Sequence, residues 1–134
     1  MKSIFSTLLL VLLSTSFLSS CDVSDDNANS CYSVGGVGTT AVTGPETADV
    51  DEEISFTVAF SVPSTCGSFL QFYQEESGNE IKITVAAKYE GCNCDNIATN
   101  RSTIYKFKAT TAGVYKLIFK KTNTESITKT VTVE

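Results

Sequence analysis

The sequence predicts an all-β, two-layer domain, and three observations carry that prediction. After Cys21, Leu occurs only twice, whereas the β-branched residue Thr occurs sixteen times. No stretch of eleven or more residues repeats its apolar positions at helical spacing. Apolar and polar residues alternate instead in short segments, which are separated by turn signals such as Gly44-Pro45 and Ala112-Gly113. Seven such segments are typical of a β-sandwich.

Five of these segments carry the strict alternation of a half-buried strand: Glu53 to Val62, Ile81 to Glu90, Thr103 to Ala109, Val114 to Lys120 and Ile127 to Glu134. Two weaker segments complete the set: Thr39 to Thr43 and Ser68 to Gln74. In the fourth strong segment, Tyr115, Leu117 and Phe119 share the predicted core face. We therefore expect one domain over residues 37–134, which is long enough to bury a core of its own.

The stretch from Phe107 to Leu117 has a Gly at position 113 and a Tyr two residues later. It resembles the corner before the sixth strand of immunoglobulin-like and fibronectin-III-like sandwiches. The resemblance implies a seven-stranded antiparallel immunoglobulin-like sandwich. The chain contains no Trp, so it departs from the antibody-type domains, which carry one on the third strand.

The first twenty residues are typical of a secretory leader. Lys2 supplies a positive end, and Ile4 to Leu13 form an apolar run that is too short to span a membrane. The residues Leu18-Ser19-Ser20-Cys21 resemble the lipobox of bacterial lipoproteins, which implies cleavage before Cys21 and a lipid on its thiol. Two or more acyl chains on that residue anchor a protein stably to a membrane. The alternative is an ordinary signal peptide (residues 1–20) followed by a chance Cys.

Residues 21–36 read as a flexible acidic stalk without a regular apolar period. Within it, Ser24-Asp25-Asp26 resembles the export signal of Bacteroidota lipoproteins. That resemblance implies a lipid-anchored position at the outer membrane, facing the cell surface. The alternative is a soluble linker with the protein facing the periplasm.

If Cys21 is lipidated, four cysteines remain: Cys31, Cys66, Cys92 and Cys94. An even number in an exported protein favours two disulfides. In a seven-stranded sandwich the chain entry and the two loops that carry the other three cysteines meet at one pole. A bridge within Cys92-Asn93-Cys94 would be strained, so Cys31 and Cys66 are each expected to pair with one of these two. The alternative is a Zn or Cu(I) site made of four thiols.

Charge is segregated along the chain. Residues 21–80 hold eleven acidic and no basic residues, whereas residues 81–134 hold nine basic and four acidic ones. We expect acidic and basic strands to lie side by side, with Glu53 facing the strand that carries Lys106 and Lys108. The acidic turn from Glu46 to Glu53 lacks the ligand spacing and the Gly of an EF-hand loop, so a solvated turn is favoured over a Ca²⁺ site.

A candidate binding face combines aromatic and basic side chains of two strands. If Leu70 and Phe72 point inward, Phe69 and Tyr73 point outward and lie beside the outward side chains of the sixth strand. The candidate face then consists of Phe69, Tyr73, Lys116, Ile118 and Lys120. In the opposite register Phe69 and Tyr73 belong to the core, and the face does not form.

The composition argues against several classes of function. The chain has no His and a net charge of −5, which excludes a Ser-His-Asp triad and disfavours nucleic acid as a partner. No phosphate-binding glycine motif is present. We therefore expect a protein that is not an enzyme, needs no cofactor or metal, and binds another envelope protein. A glycan is the alternative ligand. A third hypothesis is a protease inhibitor that resembles chagasin, but the characteristic loop motifs of those inhibitors are missing.

Overall fold

The computed structural model describes residues 31–134. In that range the regular secondary structure consists of nine β-strands and no helix. They are β1 (Tyr32–Val37), β2 (Thr39–Thr43), β3 (Thr47–Ala48), β4 (Glu53–Val62), β5 (Gly67–Ser77), β6 (Glu80–Glu90), β7 (Thr99–Lys108), β8 (Gly113–Lys120) and β9 (Ser126–Val133). The strands form two sheets, so the predicted all-β sandwich is confirmed. All seven expected strands are present, and β1 and β3 are two additional ones.

The larger sheet has six strands and the smaller one has three, in the order β2-β4-β7. In the larger sheet β5 pairs with one edge of β6 along nearly its whole length. The opposite edge of β6 is shared, since β8 pairs with residues 80–83 and β1 with residues 85–90. The sheet then continues from β8 through β9 to β3.

The arrangement departs from the antiparallel expectation at two places. β6 runs parallel to β8, and β3 runs parallel to β9. The first follows from the path of the chain. After β6 the chain crosses to the smaller sheet, runs back along β7, and re-enters the larger sheet as β8 in the direction of β6.

The core confirms the predicted inward faces. Every second side chain of β4 is buried, and so are Tyr115, Leu117 and Phe119 of β8. Aromatic rings form a continuous chain through the interior, with neighbouring centroids 4.9–6.3 Å apart: Phe60, Phe69, Phe72, Tyr105 and Phe119. Tilted and edge-to-face contacts of this kind add to the free energy of simple burial.

The corner before β8 has the hydrogen bond that the resemblance implies. The Tyr115 hydroxyl donates to the backbone oxygen of Thr111 at 3.0 Å, four residues upstream. Its oxygen also lies 2.8 Å from the hydroxyl of Thr111. The buried phenol is thereby satisfied, and the entry of the chain into β8 is fixed.

Residues 32–36 belong to the sandwich, whereas the sequence placed them in the stalk. Together with Val37 they form β1, which pairs with β6 from Tyr32↔Glu90 to Val37↔Val85. The glycines at 35 and 36 interrupt the alternation and hide the strand in the sequence. A backbone hydrogen bond from Gly91 to the oxygen of Cys31 extends the pairing at the end of β1. The leader, Cys21 and the residues up to 30 lie outside the described residues.

The expected pairing of acidic and basic strands is also confirmed. Glu53 on β4 accepts from the Lys106 ammonium group at 2.7 Å, and Lys108 lies 3.5 Å from Asp51. On the larger sheet Lys116 contacts Glu80 at 2.9 Å, and its ammonium group lowers the pKa of that carboxyl. These pairs are exposed, so each contributes little to stability.

Tyr105 predicts a loss of stability at alkaline pH. Its hydroxyl donates to the Gln74 side chain at 2.7 Å. Burial, with a smaller contribution from the Glu76 carboxylate, raises its pKa to about 12. The unfolded chain releases this proton near pH 10 (about its ordinary value). Stability is therefore fully present below that pH and falls as the pH rises toward 12. Urea unfolding between pH 9 and 12 should show this fall, and Tyr105→Phe should flatten it relative to the wild type.

Candidate functional site

Two disulfides hold one pole of the sandwich, as the sequence predicted. Cys31 is bonded to Cys92 and Cys66 to Cys94, with Cα atoms 5.0 and 5.6 Å apart. The two bridges are neighbours: Gly91 directly precedes Cys92 of the first bridge, and a Cβ at Gly91 would stand 3.3 and 3.6 Å from the two sulfurs of the second. At φ +127° Gly91 has a backbone conformation that favours glycine, and it turns the chain between β6 and the bridged loop.

The structure gives no support to the two metal sites that the sequence raised. The four sulfurs at the pole are bonded in two pairs, which consumes the thiols that a Zn or Cu(I) site requires. In the acidic turn, the carboxylate of Glu52 accepts from the backbone N–H of Asp49 at 2.8 Å, and Asp51 and Glu53 pair with lysines. Within residues 31–134 no group of three or more His, Cys, Asp or Glu side chains is placed to hold a metal ion.

The candidate binding face forms only in part, because β5 contains a bulge. The register of β5 against β6 shifts between Phe69 and Gln71. As a result Phe69 and Phe72 both face inward, opposite Ala87 and Val85. The structure thus places Phe69 against the core, where its ring lies 6.3 Å from that of Phe60. Neither register considered from the sequence applies, since each assumed a regular strand.

The other four residues of the candidate face do lie on the outer side of the larger sheet. Tyr73 is 52% exposed, and Ile118 and Lys120 stand on the same side of β8. β6 lies between β5 and β8, so the tyrosine and these two residues are not direct strand neighbours. Lys116 also points outward but is paired with Glu80.

Tyr73, Ile118 and Lys120 line a groove of about 360 Å³, which we call the junction groove. Its walls come from β5, β6, β8 and the turn before β9: Tyr73, Glu75, Lys82, Ile83, Thr84, Ile118, Lys120, Thr122, Asn123, Thr124, Glu125 and Ser126. A smaller groove of about 140 Å³ shares Thr84, Lys120 and the turn, and extends to Gly36 and Gly38.

The position of the groove follows from the sheet topology. β8 pairs with β6 only up to Ile83, and β1 begins to pair with β6 at Val85. The two strands that share this edge therefore meet at Thr84, where neither is paired with β6. Beyond this point the end of β8 continues into the turn before β9, and the end of β1 continues toward β2. The space between these two segments forms the groove and its smaller extension.

The electrostatic character of the groove comes from two lysines without ion pairs. Of the eight lysines in residues 31–134, five lie within 4.0 Å of a carboxylate. The other three are Lys82, Lys120 and Lys129, and the first two of them line the groove. Glu75 stands opposite Lys82 in the strand register without contacting its ammonium group. The Glu125 carboxylate is engaged by Lys121 at 3.3 Å.

One wall of the groove is a turn whose shape is fixed by its own hydrogen bonds. The backbone N–H groups of Lys121 and Thr122 both donate to the oxygen of Glu125 at 3.0 Å. The Thr122 hydroxyl accepts from the N–H groups of Thr124 and Glu125. Asn123 at the tip has an amide side chain with no hydrogen bond to residues 31–134, so this amide is available to a ligand.

Sequence reasoning missed Lys82, Thr84 and the turn. The alternation of β6 does place Lys82 and Thr84 on its outer side. Nothing in the sequence, however, indicates that β6 lies between β5 and β8, because this arrangement depends on a long-range parallel pairing. Together the groove offers two ammonium groups without ion pairs, hydroxyls, an amide, one exposed aromatic ring, and the carboxylates of Glu75 and of Glu125, the second of which is paired with Lys121. These groups are suited to binding a polar ligand that carries both hydroxyls and negative charge.

Comparison with known proteins identifies the sandwich and little more. A family model described as the ORF11 beta-sandwich domain matches residues 56–133, more than half of the chain. The match includes the whole junction groove and Cys66, Cys92 and Cys94. No curated protein and no solved structure matches the chain. Residues 31–134 contain no helix long and apolar enough to cross a membrane.

Proposed function

Because the chain belongs to the family of ORF11 beta-sandwich domains, whose description names a fold and no activity, we propose a function from the groove itself. The protein is a non-catalytic binding module of the cell envelope, and the junction groove is its binding site. The observation that carries this proposal is the presence of two lysines without ion pairs and a half-exposed tyrosine in one preformed cleft. Ligand sites are concave and combine apolar surface with a few polar groups in this way.

The position of the groove fits an anchor at Cys21. Nine residues separate Cys21 from Cys31, which lies at the disulfide pole where β1 begins. The groove extension lies at the other end of β1, near Gly36 and Gly38. Six strand residues span roughly 17 Å at 3.3 Å per residue. A lipid on Cys21 at the outer membrane would thus hold the domain by one pole and leave the groove clear of the membrane surface.

The partner is another component of the envelope. A partner protein would contact the outer face of the larger sheet and insert a polar segment into the groove. A glycan is the second candidate, and the groove favours it by its size, which falls near the lower end of the roughly 300–1,000 Å³ of small-ligand sites. The absence of His in the sequence removes the usual general base, which favours binding over catalysis.

The anchor is tested by metabolic labelling. Cells that express the full chain should incorporate radiolabelled palmitate into the protein, and Cys21→Ala should abolish the label. Retention of label in the variant, or no label in the wild type, would contradict a lipid on this residue.

The binding site is tested by capture on intact cells, followed by identification of whatever is cross-linked to the protein. Tyr73→Ala should abolish capture. The matched control is Ile104→Ala on the smaller sheet, because Ile104 is 51% exposed and Tyr73 is 52% exposed. Equal capture by the wild type and both variants would exclude the groove as the binding site.

A further inference from the structure

We propose that the junction groove binds a segment of an acidic glycan, with Lys82 and Lys120 on its anionic groups and Tyr73 against a sugar ring. The inference rests on the binding function proposed for the same groove and adds the chemical class of the ligand.

The two lysines supply the preference for negative charge. Lys82 lies opposite Ile118 in the strand register, and Lys120 is two residues further along β8. The two are therefore diagonal neighbours on the outer face of adjacent strands, within reach of one ligand. Neither has a carboxylate within 4.0 Å among residues 31–134, although the chain as a whole is acidic. An anionic group placed between them meets ammonium groups that need not first give up an ion pair.

Tyr73 supplies an apolar surface at the same place. Tyr73 is on β5 and lies opposite Thr84 of β6, which is two residues along that strand from Lys82. About half of its side chain is exposed. The face of a phenol ring packs against the C–H face of a sugar, while its hydroxyl remains free to form hydrogen bonds. The chain contains no Trp, so Tyr is the aromatic platform that it has for this purpose.

The remaining groove residues carry polar groups that can form hydrogen bonds with the hydroxyl groups of a glycan. Thr84, Ser126 and the Asn123 amide offer donors and acceptors around the groove, and the carboxylate of Glu75 accepts from sugar hydroxyls. The hydrogen bonds within the turn hold this wall in place before the ligand arrives. Such preorganisation lowers the entropic cost of binding.

An acidic peptide is the competing occupant, and the fold disfavours it. Extended peptides gain affinity by adding a strand to an open sheet edge, together with pockets for alternate side chains. At the groove β6 is paired with β5 on one edge, and with β8 up to Ile83 on the other. Only Thr84 is unpaired on that edge, which is too short a gap to accept an added strand, so the floor is mainly a sheet face.

The test is titration calorimetry of the purified full chain in detergent. The probes are oligogalacturonate, a hyaluronan hexasaccharide and a heparin fragment. Neutral dextran and methyl-esterified oligogalacturonate, which keeps the sugars and removes the charge, are the controls. At least one acidic probe should bind, and the neutral probes should bind about tenfold more weakly or not at all. Increasing the salt concentration should weaken binding of the acidic probe, because the ammonium groups are exposed.

The variant Lys82→Gln/Lys120→Gln should weaken binding of the acidic probe by about tenfold or more, because it removes both ammonium groups that contact the anionic groups. Lys106→Gln/Lys108→Gln on the opposite sheet should bind as the wild type does. Both variants change exposed side chains only, and circular dichroism verifies their fold. Equal affinity for acidic and neutral probes, or unchanged affinity of the first variant, would overturn the inference.

Two further outcomes separate this inference from the proposed function. If none of the acidic glycans binds but capture on intact cells still depends on Tyr73, the binding module stands and the glycan is refuted. Tighter binding of a hexaglutamate peptide than of any acidic sugar leads to the same conclusion and identifies a protein segment as the occupant. If capture does not depend on Tyr73, the proposed function itself fails.

Discussion

Replacing Cys31 and Cys92 by Ala together is expected to lower the free energy of unfolding by about 4 kcal/mol, and replacing Cys66 and Cys94 by about 3.5 kcal/mol. The bridges close loops of 61 and 28 residues, and the entropy removed from the unfolded chain increases with the logarithm of loop length. Urea denaturation under non-reducing conditions measures both losses. The wild type in dithiothreitol should lose more than either double variant.

The two bridges are expected to differ more in which strands lose protection than in the total loss of stability. Cys31 ties down the beginning of β1, which pairs with the larger sheet along β6 alone. Without this bridge the amides of β1 should exchange with deuterium faster than those of β4, which is paired on both sides by β2 and β7. Removal of the Cys66–Cys94 bridge should leave protection of β1 unchanged. Equal loss of protection in both variants would contradict the assignment of Cys31–Cys92 as the clamp on β1.

The strands themselves could be predicted because side-chain direction in a strand alternates with period two. The inward set of β4 and that of β8 follow directly from this rule, and so does the outward direction of Ile118 and Lys120. The approximate position of the cysteines followed as well, because three of them lie in loops that the strand count places at one end. The partner of each cysteine did not follow, since Cys92 and Cys94 are only two residues apart.

What could not be predicted depends on local irregularity or on long-range pairing. A bulge at Leu70 turns Phe69 inward, and no residue in the sequence marks that bulge. β1 was not predicted because its two glycines interrupt the alternation of apolar and polar residues. The junction groove depends on the parallel pairing of β6 with β8, which forms only after the chain has passed through the other sheet. Alternation within single strands carries no information about that neighbour, so Lys82 was absent from the predicted face.

Phe119 and Ile118 offer a direct test of how the fold and the groove are separated on one strand. Phe119 is fully buried, and its ring lies 5.4 Å from that of Tyr105. Phe119→Ala should lower the free energy of unfolding by about 3–5 kcal/mol, because it removes buried apolar surface and leaves a cavity that the tightly packed aromatic chain cannot fill. Thermal and urea unfolding measure this loss.

Ile118→Ala changes the neighbouring residue, which faces the junction groove on the other side of the sheet. It should lower stability by less than about 1 kcal/mol, as expected of a substitution outside the core. Capture on intact cells should nevertheless fall, because an apolar side chain of the groove is lost, directly opposite Lys82 and two residues before Lys120 on β8. Comparable destabilisation by both substitutions would contradict the register of β8, whereas a stable Ile118→Ala variant with full capture would contradict the groove. Since adjacent strand residues face opposite sides, one position tests the core and the next tests the site without disturbing it.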